Sequence, residues 1–189
     1  MIMSLYKIIA FSNRKLCSGS LVNQIEKIAK TNKPDIFVLR EKDLPKEEYE
    51  ALANEVLKKC KQYNIECVLH THIDIAIKLG CKNIHLPLSV FKENKDKLKY
   101  FKIIGVSTHS LNEAKFAERN GASYVTAGHI FKTDCKKGLE PRGLEFLNTV
   151  CKGVNIPVYA IGGINKDNIK LAIEKGASGV CVMSGFMKI

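Results

Sequence analysis

The sequence predicts a single-domain α/β protein of the (β/α)8 barrel type over residues 1–189. Three observations predict it. Eight short, continuous apolar runs alternate with segments of helical spacing, the pattern of parallel strands buried on both faces. A helix-end turn recurs: Asn120-Gly121-Ala122-Ser123 is echoed by Lys175-Gly176-Ala177-Ser178, and more weakly by Gly80-Cys81-Lys82-Asn83. Repetition of one unit supports serial β/α architecture. An open doubly wound sheet gives the same alternation, but Phe11-Ser12-Asn13-Arg14 after the first run lacks the glycine-rich fingerprint of that fold. At 189 residues the chain is compact for a closed barrel, whose usual length is about 200–250 residues.

The elements follow in order. Residues 5–11 form the first run, and 21–29 carry helical spacing through Leu21, Ile25 and Ile28. Residues 36–39 are the second run. Pro45 suits the first turn of a long helix over 45–63, with Glu47 and Glu48 at the positive end of its dipole. Residues 67–69 are the third run; 73–79 are helical and closed by Gly80. Runs four, five and six are 84–86, 103–106 and 124–127. Ser110 and Glu113 form a capping box for the helix that ends at Gly121. Run seven is 158–161, then a helix over 165–175 closed by Gly176, and run eight is 179–183.

Composition narrows the function. Hydrophobic residues make up 46% and charged residues 26%, which excludes a disordered chain. No apolar run approaches the ~18 residues of a membrane helix. The N-terminal apolar stretch has no small-residue cleavage site, so it reads as a strand and a cytoplasmic location is expected. The net charge of +11 invites nucleic acid, but the lysines are dispersed and only four arginines are present. A small phosphorylated ligand suits that field, and no nucleic-acid or membrane partner is expected. The seven cysteines show no C-x-x-C spacing, so neither a disulfide framework nor a zinc motif is read. His70-x-His72 has no carboxylate spaced to complete a metal site, and no metal is expected. Cys135, beside Lys136 and Lys137, lacks an assured general base for covalent work.

In a barrel the working residues stand at the C-terminal ends of strands. Gly162-Gly163 follows run seven and Ser184-Gly185 follows run eight. Glycine turns there let backbone N–H groups approach an anion closely, which is the usual barrel phosphate site. His129 ends run six at the start of a polar loop, where an imidazole can exchange a proton near neutrality. Arg40, Lys42 and Lys136 are candidate anchors for carboxylate or phosphate. His85 reads as a core histidine inside run four, and Leu86, Ile130 and Phe131 as the apolar side of the mouth.

These residues also carry a resemblance. Leu39-Arg40-Glu41-Lys42, Ser107-Thr108-His109-Ser110, Gly128-x-Ile130-Phe131-x-Thr133, the 156–164 segment and Gly176-Ala177-x-Gly179-Val180 resemble, in order, the thiamine phosphate synthase superfamily. That resemblance implies a (β/α)8 barrel and suggests a homodimer. The synthase branch joins a pyrimidine pyrophosphate to a thiazole phosphate with magnesium. The sequence departs from it: Val38 stands for a Gln, His70-Thr71 for Asn-Asp, and Val90 for an Asp, so both magnesium carboxylates are missing. Gly128-His129-Ile130-Phe131 through Glu140 resembles instead the TenI-type thiazole tautomerase branch. That likeness implies a metal-free and cofactor-free isomerase that aromatises a carboxythiazole phosphate. In it His129 would transfer the proton, and Gly162, Gly163, Ser184 and Gly185 would hold the phosphate. Arg40, Lys42, Ser107, Thr133 and Lys136 would bind the rest of the small-molecule substrate. The alternatives are a thiamine phosphate synthase and a non-catalytic regulator that binds thiazole phosphate.

Overall fold

The computed structural model describes residues 6–133, 136 and 138–189. Its eight strands are parallel and close in sequence order: β1 Lys7–Phe11, β2 Ile36–Leu39, β3 Glu66–His70, β4 Asn83–Pro87, β5 Ile103–Thr108, β6 Tyr124–Gly128, β7 Val158–Ile161 and β8 Gly179–Val182. Closure is made by β8 against β1, where Ile8 pairs with Val180 and Ala10 with Val182. Each apolar run of the sequence became a strand.

The helices are α1 Leu21–Thr31, α2 Lys46–Gln62, α3 Ile73–Lys78, α4 Leu88–Glu93, α5 Leu111–Arg119, α6 Gly143–Gly153, α7 Ile169–Glu174 and α8 Ser184–Met187, with short 3₁₀ segments at Arg14–Leu16 and Lys95–Tyr100. Ser20 caps α1, accepting from the Asn23 N–H at 3.1 Å. Ser110 does the same for α5 through the Glu113 N–H. The reciprocal arm expected of a capping box goes elsewhere: Glu113 Oε2 accepts from the N–H of His109, one residue before the cap. The helix expected from residue 165 starts at Ile169. Asn165 and Asn168 explain the delay, because Asn165 Oδ1 accepts from the Asp167 N–H and Asn168 Oδ1 from the Asn165 N–H, holding 165–168 as a turn.

Two apolar layers result from the two faces of the strands. The outer layer packs strands on helices, with Phe37, Leu39, Leu69, Ile84, Leu86 and Val125 among its residues. The inner one fills the barrel with Ile9, Val38, Val68, Tyr124, Tyr159 and Cys181. Period-two alternation places Leu86 outward between inward His85 and Pro87, wholly buried beneath the helices. Ile130 is buried in the same outer layer and Phe131 packs against it. The expectation that these three line the mouth is therefore corrected. Phe11, Pro87, Leu88, Ile161 and Met183 supply apolar wall in their place.

Among the described residues no helix is long and apolar enough to cross a membrane. Cys135 lies outside the described residues.

Candidate active site

A cavity of about 430 Å³ opens at the C-terminal ends of the strands. Arg40, Lys42, Ser107, His129, Thr133 and Lys136 line it, as do Gly162, Gly163 and Ser184. Nine of the ten residues named from the sequence thus face one space; Gly185 does not line it and stands in the first turn of α8.

Gly162 and Gly163 need their missing side chains. Both have positive φ, +98° and +68°. A Cβ on Gly163 would come within 2.8 Å of Phe131. The close approach is backbone pairing between the loops after β6 and β7: the Ile130 N–H donates to Ile161 O at 2.9 Å and the Phe131 N–H to Gly162 O at 3.0 Å. This bare stretch of backbone beside Ser184 is suited to an anion.

Arg40 and Lys42 follow β2, and their loop is latched to the loop after β1. Glu41, 3% exposed, accepts from the Ser12 hydroxyl at 2.6 Å, the Arg14 N–H at 3.0 Å and the Arg14 guanidinium at 3.1 Å. Ser12 Oγ in turn accepts from the Arg40 N–H at 2.7 Å. Arg14 also forks onto Asp43, at 2.7 and 2.9 Å, which drives the Asp43 carboxyl well below its ordinary range. Burial lowers the Lys42 pKa, and so do the neighbouring Arg40 and Lys136. Three cations that repel one another at one rim describe a place for a polyanion.

A polar column descends inside the barrel. His85 is fully buried, its Nδ1 3.0 Å from the Tyr124 hydroxyl and its Nε2 2.8 Å from Ser107 Oγ. Gly105 makes the room, because a Cβ there would overlap the Tyr124 ring and His85. Burial pulls the His85 pKa down to about 3 and, with His85 beside it, pushes that of His70 well below its ordinary value. Both rings are therefore neutral near pH 7. His70 Nδ1 meets the Thr71 hydroxyl at 2.6 Å, and Thr71 holds the left-handed conformation at φ +68°, strained for a β-branched residue.

His129 stands at the rim, its Nε2 3.3 Å from the Leu139 carbonyl. His109 Nδ1 lies 2.9 Å from Gly128 O. Sequence reading missed Thr126, which lines the cavity floor. A polar residue in the otherwise apolar run Tyr124-Val125-Thr126-Ala127, in phase with inward Tyr124, is the signal that marks it.

The synthase branch implies magnesium, and the oxygen donors around this cavity are few. A hard divalent ion needs several oxygen ligands. Glu41 spends both oxygens on Ser12 and Arg14, and Glu113 accepts from the His109 backbone. Thr71, Pro87 and Leu88 occupy the neighbouring strand ends. Among the described residues no group of three His, Cys, Asp or Glu side chains could hold a metal. The described residues do not fit the ion.

A closed parallel barrel with glycine turns and a cationic rim around one cavity at its strand ends has the build of a β/α-barrel enzyme. The sequence pattern of the thiamine monophosphate synthase family matches residues 8–186, and the chain belongs to that family. It is 35% identical over 185 residues to the thiamine-phosphate synthase of Clostridium acetobutylicum, covering 96% of this chain and 87% of that one. The thiamine-phosphate synthase of Caldanaerobacter subterraneus is 31% identical over 186 residues, covering 95% and 86%. Among solved structures, the thiamine phosphate pyrophosphorylase from Pyrococcus furiosus superposes with a TM-score of 0.82 at 27% identity, covering 97% of this chain and 88% of that one. The YdjI aldolase of Escherichia coli, at 18% identity and a TM-score of 0.66, shares the fold.

These relatives overturn the tautomerase expectation. Proteins similar along nearly their whole length carry the synthase name, so the His129 signature does not sort the chain into an isomerase branch. What stands is an enzyme of thiamine biosynthesis.

Proposed function

We propose that the chain joins a pyrimidine pyrophosphate to a thiazole phosphate, the reaction for which its relatives are named. The observation that carries the proposal is one cavity lined by two different groups: Gly162, Gly163 and Ser184 after β7 and β8, and the cations Arg40, Lys42 and Lys136. The first group is a cradle that suits a monophosphate, and the rim of cations suits a pyrophosphate.

The chemistry asks for little acid or base. The thiazole nitrogen attacks the exocyclic methylene of the pyrimidine, a C–N bond forms, and the C–O bond to pyrophosphate breaks. The electron pair leaves with the pyrophosphate, and no proton need move in that step. The chain's part is to align the two rings and neutralise the departing charge. Lys42, Arg40 and Lys136 do the second. His129 then serves the rim and transfers no proton.

The test is direct. Incubation with both substrates, with and without Mg²⁺, should release thiamine phosphate and pyrophosphate in equal amounts. A second reading, a non-catalytic binder of thiazole phosphate, is favoured by the engagement of Glu41 and Glu113 away from any cation site. Binding of both substrates with no product under either condition selects that reading and ends the first.

A further inference from the structure

Thr126 is the centre of an unexplained arrangement on the cavity floor. It is 1% exposed, and its Oγ1 is, among the described residues, the buried side-chain polar atom left without a hydrogen-bond partner. Buried hydroxyls are nearly always paired, so an exception calls for a reason. Nearby Thr108, by contrast, is paired: its hydroxyl donates to the Thr126 carbonyl at 3.0 Å.

The surroundings say what the reason is. Thr126 lines the same cavity as Arg40, Lys42, Lys136 and the Gly162-Gly163 turn. In the barrel register it stands beside Ser107 on β5 and Tyr159 on β7. Adjacent strands put the Ser107 and Thr126 backbones about 5 Å apart. Ser107 is supplied from below. The Tyr124 phenol, whose partner is His85 Nδ1, must donate to it, or its own proton would be buried unpaired. The neutral His85 ring then carries its hydrogen on Nε2 and donates to Ser107 Oγ, leaving the Ser107 proton to point at the cavity. The floor thus offers two neighbouring hydroxyls. Rotation about the Thr126 Cα–Cβ bond re-aims the hydroxyl toward the cavity without moving β6.

We infer that Thr126 is a specificity-determining residue whose hydroxyl is held unpaired to bond a ring nitrogen of the pyrimidine substrate, alongside Ser107. This inference rests on the synthase reading. The choice between the two rings follows from their chemistry. The thiazole nitrogen must keep its lone pair free for attack, and a hydrogen bond to it would oppose the reaction. The pyrimidine has two ring nitrogens that take no part in bond making. Depth agrees: Thr126 lies two residues, about 7 Å, below Gly128, which is level with the end of β7. A ring tethered to a pyrophosphate at the rim reaches that depth.

The experiment compares inorganic pyrophosphate with the pyrimidine pyrophosphate by calorimetry, using the wild type, Thr126→Val and Thr126→Ser. Wild type should bind the pyrimidine compound more tightly than pyrophosphate. Thr126→Val should lose about 5–10-fold of that advantage while binding pyrophosphate unchanged, and Thr126→Ser should restore it. The free Thr126→Val protein should melt at the same temperature as wild type or higher, since an unpaired buried hydroxyl has been removed. Equal binding of the pyrimidine compound by wild type and Thr126→Val overturns the inference and leaves the synthase reading standing. A lower melting temperature in Thr126→Val, with ligand affinity kept, also overturns it by showing a structural role. A wild type that binds the pyrimidine compound no better than pyrophosphate removes the synthase reading and the inference together.

Discussion

The Ser107 hydroxyl lies 2.8 Å from Nε2 of His85, a fully buried imidazole whose other ring nitrogen meets the Tyr124 hydroxyl. The barrel interior therefore holds a neutral donor column under the cavity rather than a titrating base. That column makes the stability of the protein depend on pH in a calculable direction.

His85 has a folded-state pKa of about 3, below the ordinary value of 6.5. Between those values the unfolded chain binds the proton that the folded chain refuses. Stability is full above pH 6.5 and falls as the pH drops toward 3, by about 1.4 kcal/mol per unit per histidine in the steep part. His70 acts in the same direction. Urea unfolding of wild type and His85→Gln between pH 4 and 7 should show a slope shallower by about one proton in the variant. Equal slopes would mean that His85 is charged in the folded protein.

Gly105→Ala places a methyl against the Tyr124 ring and His85. Overpacking between two interlocked rings should cost about 1–3 kcal/mol. The measurement is a drop in urea midpoint at unchanged m-value.

Glu41→Gln removes the charge that joins the loops after β1 and β2. A buried, charge-assisted set of this kind should cost roughly 2–3 kcal/mol on neutralisation. The amide keeps one oxygen for Ser12 and the Arg14 N–H but turns its NH2 toward the Arg14 guanidinium, a donor against a donor, which loosens the latch that seats the Arg40 N–H. Calorimetry should show weaker pyrophosphate binding, with inorganic phosphate at the cradle little affected.

Gly163→Ala strains a residue at φ +68° and pushes on Phe131. Thiazole phosphate affinity should fall at least about tenfold, with stability lower by ~1–2 kcal/mol. Retained affinity would place the phosphate elsewhere.

Much of this was legible in the sequence because parallel strands buried on both faces leave unbroken apolar runs. The 36–39 and 158–161 runs match β2 and β7 residue for residue. What alternates within a run was harder to read: Leu86 was placed at the mouth because an apolar run does not show which members face in. Short helices without a clear stripe, such as α4 and α8, left no periodic signal. At the site, glycine turns and cations at strand ends showed through local chemistry. Thr126 left only the faint mark of a polar residue in an apolar run, and the absent hydrogen bond that gives it meaning is a property of three dimensions. His129 drew attention as an isolated titratable residue, and relatives along the full chain were needed to correct the reaction assigned to it.

The pairing of Ile130 with Ile161 and of Phe131 with Gly162 extends past the end of the sheet. It rivets the floor of one loop to the ceiling of the next. A phosphate seated on that rivet would load both loops at once, so docking of the first guest and shaping of the doorway for the second become a single mechanical event.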